Sequence, residues 1–181
     1  MRSWTDANNN PAFELDLDPE HIPSVEEWAC FFSRLTCPGD ALGRFTIGHY
    51  QIGQLLNYID HQAPIEDQRE AAGAAVIHLI GAARLRGAYP SAGLPNLFKD
   101  IEQKGRDFRV LTKSLARCAQ IHGYWTFAPS GSTRQNRFST QDLEQATAAV
   151  ITEVMCEIWP TYRKHGIELA IAKLLDKEWT K

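Results

Sequence analysis

Between Arg106 and His122 two side-chain patterns share one helical period. Phe108, Leu111, Leu115 and Cys118 recur at i, i+3, i+7 and i+10, an apolar stripe. Arg106, Arg109, Lys113 and Arg117 recur at i, i+3, i+7 and i+11. At about 100° per residue the two stripes lie roughly 160° apart. The segment is therefore expected to be a helix that packs one side and presents four cations in a row on the other. A short helix is expected before it, broken at Gly105. An aromatic and basic segment follows, with a Pro129–Ser130–Gly131–Ser132 turn that suggests a hairpin.

The charge of the chain is distributed in the same sense. Its net charge is only −3. Residues 84–137 carry ten Lys/Arg against Asp100, Glu102 and Asp107, a local +7, which leaves −10 for the rest. The first thirty residues hold Asp6, Glu14, Asp16, Asp18, Glu20, Glu26 and Glu27 against Arg2. A near-neutral total thus conceals a basic region and an acidic one, and the distribution is what speaks to partners.

At 181 residues, with 44% hydrophobic residues, one domain with a sizeable core is expected. No run of about 18 apolar residues is present, so no membrane span is expected. MRSWTDANNN lacks an apolar signal core, which points away from secretion. Cys30, Cys37, Cys118 and Cys156 form no C-x-x-C pair and read as reduced thiols of an intracellular, cytoplasmic protein without a zinc site or other cofactor.

In chain order, residues 1–23 read as an acidic arm, in which FELDLDPE alternates apolar and acidic positions before Pro19. Residues 24–181 read as a single mainly α-helical domain with at most one hairpin. Ser24 with Glu27 is a capping-box pattern, and Trp28, Phe31, Phe32 and Leu35 give that helix its apolar face. Pro38–Gly39–Asp40 ends it. A second helix is expected from about Thr46 to His61. The third, residues 65–86, has Glu66, Asp67 and Glu70 in its first turn and Arg84 and Arg86 before Gly87, in agreement with the helix dipole and a glycine C-cap. Its Ala- and Gly-rich interior permits close helix contact and places it in the middle of the fold. Ser139 with Asp142 marks the start of another helix, which continues to Trp159. Pro160 disfavours helix there. A last helix is expected from Tyr162.

Residues 65–140 resemble a winged helix-turn-helix of the MarR type. In that resemblance the Ala-rich helix is the first of the three-helix core, Leu97–Lys104 the second, Gly105 the turn and Asp107–His122 the recognition helix. Gly123–Tyr124–Trp125 leads into a wing, Trp125–Phe138, with Arg134 and Arg137 on its returning strand. The helix STQDLEQATAAV is similar to the one that builds the dimer interface in that family. The resemblance implies a homodimeric, DNA-binding regulator. The residues it assigns to the nucleic acid are Arg106, Arg109, Lys113, Arg117, Trp125, Arg134 and Arg137. Independently of any family, a cationic helix face with neighbouring Arg can neutralise several phosphates. Arg106, Arg109 and Lys113 at the helix start could reach guanine acceptors. DNA is the expected partner in preference to RNA.

Two enzyme readings stand beside this one. Arg117…His122 resembles the R-x4-6-H motif of HEPN ribonucleases, with histidine in proton transfer and arginine on the phosphate. In a continuous helix, however, these two side chains point about 140° apart, and a semi-buried structural histidine is the bland alternative. Arg44…His49 repeats the same string. The carboxylate pairs Glu66/Glu70 and Glu153/Glu157 have i, i+4 spacing, which can hold a divalent metal, but they lack the spacing of MazG-type pyrophosphohydrolases. A non-enzymatic helical bundle whose basic face meets an acidic protein is the remaining class.

Overall fold

A computed structural model describes residues 2–5, 11–15, 40–90, 107–127 and 137–158. Four long helices account for most of them: α1 (Ala41–Asp60), α2 (Ile65–Arg84), α3 (Phe108–Phe127) and α4 (Thr140–Ile158). The N-terminal arm contributes β1 (Arg2–Thr5) and β2 (Pro11–Leu15), an antiparallel pair in which Ser3 lies opposite Glu14 and Trp4 opposite Phe13. The described residues are mainly α, as the periodicities predict, and the described hairpin is in the arm; residues 128–136 of the expected wing lie outside the described residues.

Each helix end has a local cause. Asp40 caps α1 by accepting the Gly43 amide on Oδ1 at 2.8 Å. The helix therefore begins five residues before the expected Thr46, because Asp40, read from sequence as part of a terminator, is itself the cap. At the other end Gln62 takes φ +52, and the Ala63 amide donates back to the Tyr58 carbonyl at 2.9 Å. This left-handed closure favours glycine. Gln62→Gly should raise stability by about 0.5–1 kcal/mol in urea denaturation; an unchanged or lowered midpoint would show that the Gln62 backbone is not under strain.

Helix α2 carries Glu66 and Asp67 in its first turn and Arg84 in its last. Gly87 follows at φ +74, and the Ala88 amide returns to the Ala83 carbonyl, so the expected glycine closure is present. Helix α4 opens with a reciprocal capping box. The Ser139 amide donates to Asp142 Oδ2 at 2.7 Å while the Asp142 amide donates to Ser139 Oγ at 3.1 Å.

The four helices form a ring in the order α1–α2–α4–α3, each packed along its two neighbours. A short turn joins α1 to α2, Tyr89 beyond α2 donates its amide to Glu144 on α4, Cys118 on α3 meets Thr147 on α4, and Phe45 on α1 stacks on His122 of α3. Helix α2 buries twelve of its twenty residues, in keeping with its small-residue content, although in the ring it has two helix neighbours like the others. The approach to α1 is close: a Cβ on Gly48 would stand 3.1 Å from Leu79 Cγ. Ile52, Leu55, Leu79, Ile80, Leu111, Ile121, Leu143 and Ile151 fill the centre, each contributing roughly 1.5–3 kcal/mol through burial.

Two expectations need correction here. Helix α3 does not end at His122 but continues through Gly123, Tyr124 and Trp125 to Phe127. Trp125 is thus helical and does not begin a wing strand. The helix is carried on because its last turn has partners: Trp125 Nε1 donates to the Phe138 carbonyl at 3.2 Å, and Thr126 Oγ1 donates to the His122 carbonyl at 2.8 Å. Phe108, placed by its spacing on the packed stripe, is instead 59% exposed at the start of α3. The short helix 97–104, the Gly105 turn and the tip of the expected wing lie outside the described residues, as do the helices expected at 24–37 and from Tyr162. No described helix is long and apolar enough to cross a membrane.

Candidate nucleic-acid interface

Helix α3 buries Leu111, Cys118, Ile121 and His122 against the ring. Its outward side carries Arg109, Lys113 and Arg117, all exposed. Spaced by four residues, they rise about 6 Å apart along the helix. Asp107 starts the helix, with Oδ1 accepting the Arg109 amide at 2.9 Å. No carboxylate among the described residues lies within ion-pair distance of the Arg109 or Lys113 side chains.

The row continues across to the segment before α4. The Arg117 guanidinium lies over the Phe138 ring at 4.6 Å from its centroid, and that of Arg137 over the same ring at 5.7 Å. Phe138 is itself buried, edge-on to Tyr124 at 5.3 Å. One fixed aromatic ring therefore gathers two arginines from separate elements, a cation–π arrangement. Arg117 also donates to Gln120 Oε1 at 3.0 Å and stands 3.8 Å from Asp142 Oδ1. The Asp142 carboxyl is held below its ordinary value by the Ser139 hydroxyl and amide first, with a smaller contribution from Arg117. Asp142 thus remains charged and tempers Arg117 without removing it from solvent. The role of Phe138 was not read from sequence; the only signal was an aromatic residue directly between Arg137 and the Ser139 cap.

Of the seven residues assigned to nucleic acid, Arg109, Lys113, Arg117 and Arg137 share this exposed surface. Trp125 is half-buried against the core, and its indole N–H is engaged by the Phe138 carbonyl. Arg106 and Arg134 lie outside the described residues.

The Arg117 and His122 side chains do not come together. Arg117 faces solvent, whereas His122 is 0% exposed and stacked on Phe45 at 4.8 Å. Burial pushes the His122 imidazole down to about 4, and the nearby Arg86 charge pushes the same way. Such a ring is neutral at pH 7, sealed from any phosphodiester, and turned away from the arginine of its motif. Arg86 crosses the end of the ring to donate to Thr126 Oγ1. Arg44 meets His78 Nδ1 at 3.2 Å, not His49. Glu66 pairs with Arg69 at 3.3 Å, and Glu153 is buried, while the Glu157 side chain lies outside the described residues. No group of three or more His, Cys, Asp or Glu among the described residues could hold a metal ion. Burial pushes the Cys118 thiol up to about 11, against a smaller opposing effect of the Thr147 hydroxyl, as suits an inert core residue.

Comparison of the chain with protein-family models, with curated proteins and with solved structures yields no match.

Proposed function

We propose that the chain is a nucleic-acid-binding regulatory or accessory protein, with duplex DNA as the favoured partner and α3 as the contacting element. The observation that carries this reading is the convergence of Arg109, Lys113, Arg117 and Arg137 on one exposed surface, two of them gathered on the Phe138 ring. Cations spaced by about 6 Å along a helix suit a row of phosphates. A homodimer would double this surface, and the winged-helix resemblance points the same way. The resemblance adds Arg106 and Arg134 to the contact set.

The test is a titration of purified protein with a short DNA duplex, a single strand of the same sequence and the matching RNA, at several salt concentrations. Four phosphate contacts predict a slope of about −3.6 in log affinity against log salt on duplex DNA. Absence of binding at about 50 mM salt, where phosphate contacts are strongest, or a slope near zero, would remove the reading.

A further inference from the structure

We infer that the acidic segment 13–20 of this same chain docks on the cationic face of α3 and competes there with nucleic acid. The competition rests on the reading above; the contact itself does not. The segment places Glu14, Asp16, Asp18 and Glu20 at every second position, with Phe13, Leu15 and Leu17 between them. In an extended chain residues two apart are about 6.6 Å distant. Backbone of this extended kind is present up to Leu15, where β2 ends. The cations of α3 repeat at about 6 Å. An extended acidic strip laid along α3 therefore meets Arg109, Lys113 and Arg117 nearly in register, with a fourth carboxylate left for Arg137.

The chain between the two has the reach to allow this. Residues 21–39 join the segment to Asp40, the cap of α1. Asp40 lies at the end of the ring where Arg86 crosses to Thr126, close enough that its charge acts on Arg86. Helix α1 is a direct neighbour of α3 through Phe45 and His122. Nineteen residues reach roughly 60 Å when extended, whereas Arg117 and Arg109 stand only about 15 and 27 Å along the helix from Phe127 at that end. Tethering at that distance gives an effective concentration in the millimolar range, enough for a weak electrostatic contact to persist.

Lys113 makes the contact testable without nucleic acid. Zero-length carbodiimide coupling of the full chain at low salt should join Lys113 to Glu14, Asp16, Asp18 or Glu20 within monomers, as read by mass spectrometry. The cross-link should fade at high salt and on addition of a short DNA duplex. Coupling of Lys113 only to other carboxylates, or to none, overturns the contact. Separately, full-length E14Q/D16N/D18N/E20Q should bind the duplex on the order of tenfold more tightly than the native chain at about 50 mM salt, the two converging at high salt as the attraction is screened. Equal affinities at low and high salt overturn the competition. A persistent Lys113 cross-link in a protein that binds no duplex upholds the docking and removes the nucleic-acid reading.

Discussion

R109E/K113E/R117E should lose duplex-DNA affinity by at least about a hundredfold at about 50 mM salt, because three attractive phosphate contacts become repulsive. The salt slope should fall by about 2.7, since each phosphate contact contributes roughly 0.9. The helix content should not change. All three side chains are exposed, and Arg109 and Lys113 have no acidic partner among the described residues to lose. Arg117 gives up its contact with Asp142, an exposed pair of small worth. Affinity measured by anisotropy, alongside circular dichroism, decides the matter. Native-like affinity in a folded triple variant would place any nucleic-acid contact elsewhere on the protein, and Arg137 would then lose its significance too.

The second large effect concerns stability. His122 is completely buried, and neither ring nitrogen has a hydrogen-bond partner among the described residues. Its folded-state value is about 4, whereas a free histidine titrates near 6.5. A base whose folded value is depressed is protonated first in the unfolded chain. Its contribution to stability is therefore complete above about pH 6.5 and is lost as pH falls towards 4, amounting to about 2 kcal/mol by pH 5. His122→Leu retains apolar contact with Phe45 and removes the proton-binding group along with two unsatisfied nitrogens. The native protein should weaken between pH 7 and pH 5 by about 2 kcal/mol more than this variant in urea denaturation. Parallel pH profiles would mean that His122 is protonated in the fold, with a partner that its surroundings do not display.

This residue also separates the two functional classes. A ribonuclease built on Arg117 and His122 needs both side chains at one phosphodiester. Phe45 stacks on the imidazole and Arg117 stands over Phe138, so the pair is divided between the interior and the surface. Helical rotation over five residues already set them about 140° apart; the packing of α1 then closed the histidine off.

Local chemistry alone determined much of the architecture. The Ser139–Asp142 box, the Gly87 closure and the small-residue interior of α2 depend on side chains within a few positions of each other, so their outcome is written in neighbouring letters. The opposition of the cationic and apolar stripes on α3 follows from helical period, and it places Arg109, Lys113 and Arg117 outward. What tertiary structure decided is where local signals compete with distant partners. Gly123 reads as a helix end, yet α3 runs on to Phe127 because Phe138 supplies an acceptor for Trp125 and the last turn packs against the ring. Phe108 fits the apolar stripe but stands at the helix tip and stays exposed. Arg137 gains meaning only when Phe138 brings it beside Arg117, twenty residues away in the chain. Period and capping act over three or four residues, whereas the surface that gathers these cations depends on how whole helices close around a common core.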